Sequence, residues 1–142
     1  MRLRRQRDDG LAVRRVLVAT DGSETAERAV SFAVGMAERY EAELVLLRVL
    51  LSDDGTLAEA GRELAEQARE LAGEQGHSSV VVAEDPAEAI VESAGREQAD
   101  VIVVGSVGMS GRKEFLLHNV PNRVSHNAPC TVVIVQTNRA NA

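Results

Sequence analysis

Apolar residues follow two alternating patterns along this chain. Short runs rich in Val, Ile and Leu predict buried strands, because a strand that is covered on both faces is apolar throughout. Such runs occupy residues 16–19, 44–50, 80–83, 101–104 and 131–135. Between them, apolar residues recur every three or four positions over 26–37, 57–71 and 87–94, as they do on one face of a helix. With a further helix from residue 120 to about 126, the predicted order is β-α-β-α-β-α-β-α-β.

Strands that alternate with helices predict a parallel sheet, because right-handed crossovers place the helices on both of its faces. We therefore predict an α/β fold, an open five-stranded parallel sheet of Rossmann-like type formed by residues 13–137. The charged segment 1–12 is expected to be a flexible extension, and 138–142 a short tail. Ligands of such folds bind beyond the carboxyl ends of the strands, so the segments after each strand are the places to search.

The composition excludes several classes of function. The chain has 142 residues, a net charge of −6 and only 2% aromatic residues. Nucleic-acid binding is not expected, because it needs a basic surface and, for single strands, rings that stack on bases. No apolar run is long enough for a membrane span, and the single Cys130 is typical of a reducing compartment. We expect a cytoplasmic protein without nucleic-acid or membrane partners.

The stretch GSVGMSGRKEFLLHN, residues 105–119, has the glycines and hydroxyls typical of phosphate-binding loops. It is not a Walker loop, because Gly111 is followed by Arg112 rather than by lysine. The segment after the first strand, TDGSETAER, contains one glycine and therefore lacks the dinucleotide fingerprint. The histidines and Cys130 have no metal-ligand spacing, so the motifs predict neither a catalytic nor a metal site.

The loop nevertheless has features that suit an anion. Three glycines, at 105, 108 and 111, let the backbone approach a phosphate closely. Asn119 is a favoured N-cap for the helix that follows, and the amino end of that helix would face the anion. These residues alone leave two interpretations open: a phosphate cradle, or a tight connection between strand and helix that holds no ligand.

Three stretches of the chain resemble the universal stress protein (UspA) family. They are VLVATDGS at 16–23, VIVVGSVG at 101–108 and VPNRVSHNAPCTVVIV at 120–135. The resemblance covers the chain from Arg15 to about Gln136. It implies an adenine nucleotide alpha-hydrolase-like fold and a stress-response or signalling module that binds ATP, with magnesium as a possible companion ion and little or no hydrolysis. We therefore do not expect an enzyme.

The resemblance also implies which residues contact the nucleotide. The end of the first strand would lie beside adenine and ribose, the end of the second would bind the base, and the glycine loop would wrap ribose and phosphates. The implied set is Ala19, Asp21, Val49, Gly105, Ser106, Gly108, Ser110, Gly111, Asn119 and Val120. Asp21 also has an explanation without a ligand, as an N-cap or Asx turn before the first helix.

One half of the loop departs from the nucleotide-binding members of that family. Their loop is spelled GxxG, nine residues, then Gly and Ser or Thr. Gly105 and Gly108 match the first half, whereas His118 and Asn119 stand in the second. The alternative function is therefore a dimeric interaction protein of the same fold that binds no nucleotide.

The fifth strand predicts how the protein assembles. It is apolar on both faces, and an uncovered apolar edge strand promotes aggregation. The family covers this strand by pairing it with the same strand of a second chain. We predict a C2 homodimer built on residues 130–136, in which the same surface of both copies is used.

Overall fold

The computed structural model describes residues 12–106 and 120–136. Five strands are present there: β1 (Arg15–Ala19), β2 (Glu43–Leu50), β3 (Gly76–Val82), β4 (Val101–Gly105) and β5 (Thr131–Val135). The helices between them are α1 (Glu24–Tyr40), α2 (Leu57–Ala72), α3 (Pro86–Glu97) and α4 (Val120–Asn127), and a short 3-10 turn, Gly73–Gln75, joins α2 to β3. The predicted alternation of strands and helices is confirmed.

The strands form one parallel sheet in the order β3-β2-β1-β4-β5. β1 lies in the middle, where Leu17 pairs with Val45 of β2 on one side and with Ile102 of β4 on the other. The chain thus extends from β1 in one direction through β2 and β3, and in the other through β4 and β5. The strand order reverses between β1 and β4, which is the position where folds of this type open a crevice for ligands.

Helices cover both faces of the sheet, as predicted. On one face, Val16 and Val18 pack with buried residues of α1 and α2, which we call the α1/α2 core; its helix members are Ala29, Val30, Ala33, Ala37, Leu64 and Ala68. On the other face, Leu17 and Ala19 pack with α3 and α4, which we call the α3/α4 core; its helix members are Ala87, Ala89, Ile90, Ala94, Val120 and Val124. The alternation of side chains along each strand explains why the predicted strands are apolar throughout.

β3 is longer than its sequence pattern predicts. It begins at Gly76 rather than at residue 80, and its register runs from Leu44 opposite Gly76 to Leu50 opposite Val82. The added residues are small or polar, and β3 lies at an edge of the sheet where they are only partly covered. Pairing with the neighbouring β2 holds these added residues in a strand. The apolar sequence pattern identifies only the more buried part of an edge strand like β3.

Candidate functional site

Three residues of the predicted site belong to one core on the same face of the sheet. Ala19 ends β1, and the next residue, Thr20, donates its backbone N–H to Leu47 O of β2 at 2.9 Å, which extends the pairing by one residue. Ala19, Val49 and Val120 all belong to the α3/α4 core. The structure therefore brings the ends of β1 and β2 and the start of α4 together on one side of the sheet.

Asp21 lies directly above this edge, in the loop between β1 and α1. Its Oδ1 accepts a hydrogen bond from Ser23 N at 3.0 Å, and Thr20 Oγ1 accepts one from Gly22 N at 3.1 Å. Gly22 has φ +83°, a conformation that glycine adopts readily. Ser23, not Asp21, is the N-cap of α1, because its hydroxyl accepts from Ala26 N at 3.2 Å. Asp21 thus forms the Asx turn that the sequence analysis considered.

The second carboxylate oxygen of Asp21 has no hydrogen bond to any residue in 12–106 or 120–136. Asp21 is half-buried, and its first oxygen holds the side chain in the turn. A fixed carboxylate with one acceptor that no described residue engages can bind a hydroxyl or amino group of a ligand. Asp21 can therefore hold the turn with one oxygen and contact a ligand with the other.

Gly105 and Ser106 begin the predicted phosphate loop and are attached to β5. Gly105 pairs with Val135, and Ser106 N donates to Val135 O at 2.7 Å. The Ser106 hydroxyl donates to Gln136 Oε1 at 2.9 Å. The start of the loop is therefore held by an extension of the β4–β5 pairing.

The other predicted loop residues, Gly108, Ser110, Gly111 and Asn119, lie outside the described residues, as does His118. Val120 is the first residue of α4 that the structure describes, and it is buried in the α3/α4 core. The helix expected from residue 120 to about 126 is observed as Val120–Asn127.

An ion pair that the sequence analysis did not find joins α4 to α3. Arg123 NH1 donates to Asp85 Oδ1 at 2.9 Å, and its NH2 donates to Asp85 Oδ2 at 2.7 Å. Asp85 is also the N-cap of α3, where Oδ1 accepts from Glu88 N at 3.3 Å. A groove of about 400 Å³ lies beside the pair, between α3 and α4. Asp followed by Pro is a helix-start signal, but no sequence pattern identifies the partner 38 residues away.

The hydrogen bonds from Arg123 hold the pKa of Asp85 below its ordinary value of 3.8, against a smaller opposing effect of burial. A carboxyl group whose pKa is lowered on folding contributes stability at pH values above its unfolded pKa. That contribution is lost as the pH falls through the lowered folded value. The pair is therefore intact at neutral pH and is lost only in strong acid.

We expect Arg123→Met to raise the pKa of Asp85 toward its ordinary value, because the largest cause of the lowering is removed. Some lowering should remain from the N-cap hydrogen bond with Glu88 N. A carboxyl ¹³C titration measures the shift. Arg62→Met is the matched control, since Arg62 is exposed on α2 and on the opposite face of the sheet. An Asp85 pKa that is equal in the two variants contradicts the prediction.

A second residue that the sequence analysis missed is Arg48 of β2. Its NH1 lies 3.5 Å from the point where a Cβ on Gly22 would stand, so its guanidinium lies against the β1–α1 loop. It makes no hydrogen bond or ion pair with the part of the chain that the structure describes. Arg48 thus adds a positive charge to the carboxyl edge, which counteracts the surrounding acidic side chains.

Neither a metal centre nor a membrane span is seen in the described ranges. Between residues 12 and 106, and between 120 and 136, no three His, Cys, Asp or Glu side chains are grouped to hold a metal ion. In the same two ranges, every helix is too short or too polar to cross a bilayer.

The fold is that of an α/β protein with an open parallel sheet. Its carboxyl edge is a candidate ligand site at the place where the strand order reverses. The chain belongs to the universal stress protein family, whose family model matches residues 12–136. The resemblance seen in the sequence is confirmed over nearly the whole described structure.

Individual relatives agree with this assignment. The chain is 31% identical over 140 residues to universal stress protein MJ0531 of Methanocaldococcus jannaschii, with 87% of this chain and 82% of the relative covered. It is 30% identical to universal stress protein YxiE of Bacillus subtilis, with coverage of 86% and 98%. Among solved structures, a universal stress protein in complex with cAMP is similar at a TM-score of 0.70 and 30% identity, with coverage of 89% and 99%.

Proposed function

We propose that this protein is an adenine-nucleotide-binding module of stress response or signalling, with ATP as its nucleotide and little or no hydrolysis. The observation that carries the proposal is that Ala19, Val49 and Val120 share one apolar core, while Asp21, two residues after Ala19, has a carboxylate oxygen that no described residue engages. Adenine has two flat apolar faces and a polar rim, which suit aliphatic side chains next to a single fixed acceptor. The relative solved with cAMP supports the choice of an adenine nucleotide.

Each described residue has a defined part in this proposal. Ala19 and Val49 contribute small aliphatic surface for the base, and the free oxygen of Asp21 accepts from a ribose hydroxyl or the adenine amino group. The amino end of α4 provides the backbone N–H of Val120, with none from Pro121, and a favourable helix dipole for phosphate. Magnesium, when bound with ATP, would neutralise part of the phosphate charge.

We propose binding rather than turnover. The sequence has no Walker lysine to stabilise charge on a leaving phosphate, and within the two described ranges no carboxylates are grouped to hold a catalytic metal. Asp21, the acidic residue at the edge, already has one oxygen engaged in its own turn. A protein of this kind would report or sequester the nucleotide.

Asp21→Asn should weaken ATP binding about tenfold or more, because a lost charge-assisted hydrogen bond costs about 1.5–3 kcal/mol. The amide oxygen can still accept from Ser23 N, so the turn and the thermal midpoint should be preserved. The second oxygen is replaced by the amide NH2 group, which cannot accept a hydrogen bond. Isothermal titration with ATP, ADP, AMP and cAMP, each with magnesium, measures the effect.

Asp53→Asn is the matched control for this experiment. Asp53 Oδ1 accepts from Gly55 N at 3.2 Å in the same kind of turn, but its side chain is exposed and has no part in the proposed site. Binding heat that is absent for every nucleotide with the unaltered protein would reject nucleotide binding. That result would favour the second candidate, an interaction protein of the same fold.

The open edge of β5 supports a homodimer, whether or not the protein binds a nucleotide. We propose that residues 130–136 pair with the same segment of a second copy around a C2 axis. Among the strands that the structure describes, β5 pairs only with β4, and Ile134 leaves 43% of its surface exposed. An exposed apolar edge strand is protected when another strand covers it. We also propose a cytoplasmic location, which agrees with the free thiol of Cys130.

A further inference from the structure

We propose that Asp85 and Arg123 form a positioning pair for the nucleotide site: their ion pair orients the amino end of α4, and with it the phosphate-binding backbone at Val120. This inference rests on the proposed function. Neither residue is assigned a contact with the nucleotide. The pair acts through the helix to which Arg123 belongs.

The two ends of the segment 107–119 are attached to the protein in different ways. At Ser106, two hydrogen bonds tie the chain to Val135 and Gln136 of the neighbouring strand. At the other end, Val120 and Val124 pack into the α3/α4 core. This packing buries the face of α4 that carries Val120 and Val124, but it makes no directional contact at the amino end of the helix.

The Asp85–Arg123 pair provides the missing directional contact. Among the described residues, it is the only side-chain hydrogen bond or ion pair that joins α4 to another element. The two terminal guanidinium nitrogens each donate to a different carboxylate oxygen, and this two-point geometry sets an angle as well as a distance. Arg123 lies one turn after Val120, so a fixed Arg123 fixes the first turn of α4.

Asp85 is itself held firmly. It is the N-cap of α3 through its hydrogen bond with Glu88 N, and Pro86 follows it as a buried first helical residue. A proline at this position restricts the backbone to helical geometry. The acceptor side of the pair is therefore rigid, and α3 serves as the reference against which α4 is oriented.

Because the pair is exposed, its effect on the orientation of α4 can be distinguished from its effect on folding stability. The side chains of Arg123 and Asp85 are 50% and 36% exposed. Ion pairs this exposed to water contribute little to folding stability. Breaking the pair should therefore leave the thermal midpoint almost unchanged while it loosens the orientation of the first turn of α4.

Two variants break the pair with opposite effects on local charge. Arg123→Met removes a positive charge near the phosphates, whereas Asp85→Asn removes a negative one and keeps a good N-cap. If only the electrostatic field mattered, Asp85→Asn would tighten ATP binding. The positioning pair predicts that both variants weaken ATP binding, by about two- to fivefold, in line with the strength of exposed ion pairs.

Titration with adenosine provides the second readout. Adenosine has no phosphate, and its proposed base and hydroxyl contacts come from Ala19, Val49 and Asp21 rather than from α4, so its affinity should be the same in every variant and in the unaltered protein. Arg123→Lys, which keeps the charge but loses the two-point geometry, should bind ATP as weakly as Arg123→Met.

Each outcome of these titrations has a distinct meaning. Weaker ATP binding in all three variants with unchanged adenosine binding supports the positioning pair. Unchanged or tighter ATP binding in Asp85→Asn overturns it, and so does an equal loss for ATP and adenosine, which would indicate general structural damage. An unaltered protein that binds neither ligand overturns the proposed function, and the positioning pair falls with it.

Discussion

Ile134→Lys should convert the proposed homodimer into a monomer. Ile134 lies on the edge strand β5 and is 43% exposed, so the fold of one chain tolerates a lysine there. In a symmetric dimer the change occurs twice, and it removes two buried isoleucine side chains from the interface. Since 43% of each side chain is left to bury, that loss is about 1–2.5 kcal/mol, which raises the dissociation constant about tenfold or more. Charged residues on an edge strand also oppose pairing with another strand.

Val82→Lys is the matched control for the dimer. Val82 is also 43% exposed and lies on β3, the strand at the opposite edge of the same sheet. Analytical ultracentrifugation of both variants over a range of concentrations compares the two edges. A dimer that persists in Ile134→Lys, or one that dissociates only in Val82→Lys, shows that β5 is not the interface.

Gly76→Ala should destabilise the protein by about 3 kcal/mol, the upper end of the usual cost of overpacking. A methyl group on Gly76 would overlap the carbonyl oxygen of Ala68 in α2 and lie 2.7 Å from its carbonyl carbon. The obstacle is backbone rather than a flexible side chain, so α2 as a whole would have to move away from β3. Urea unfolding curves measure the loss as a lower midpoint.

Gly35→Ala tests whether this effect comes from the contact or from glycine replacement in general. Gly35 lies inside α1, and a Cβ there meets nothing within 4 Å. Alanine favours the helix, so the substitution should stabilise the protein by about 0.5–1 kcal/mol. If Gly76→Ala unfolds at the same urea concentration as the unaltered protein, the close approach of α2 to β3 is not a constraint.

The helices and buried strands could be predicted because their signals are local. The strands β1, β2, β4 and β5 appear within a residue or two of their predicted positions, since each is a continuous apolar run in the sequence. β3 was predicted four residues too short at its start, because Gly76 and the polar residues after it are strand only through pairing with β2. The site was predicted from a family resemblance, and the structure adds that Ala19, Val49 and Val120 meet in one core.

The sequence by itself determined the alternation of strands and helices, the covering of both sheet faces and the family, because apolar periodicity and motifs are properties of neighbouring residues. The tertiary structure decided the strand order β3-β2-β1-β4-β5, and with it the place where the order reverses. It also decided the pairing of Asp85 with Arg123 and the contact of Arg48 with the β1–α1 loop. These contacts join residues far apart in the chain, and their geometry depends on how whole elements pack, which no local pattern encodes.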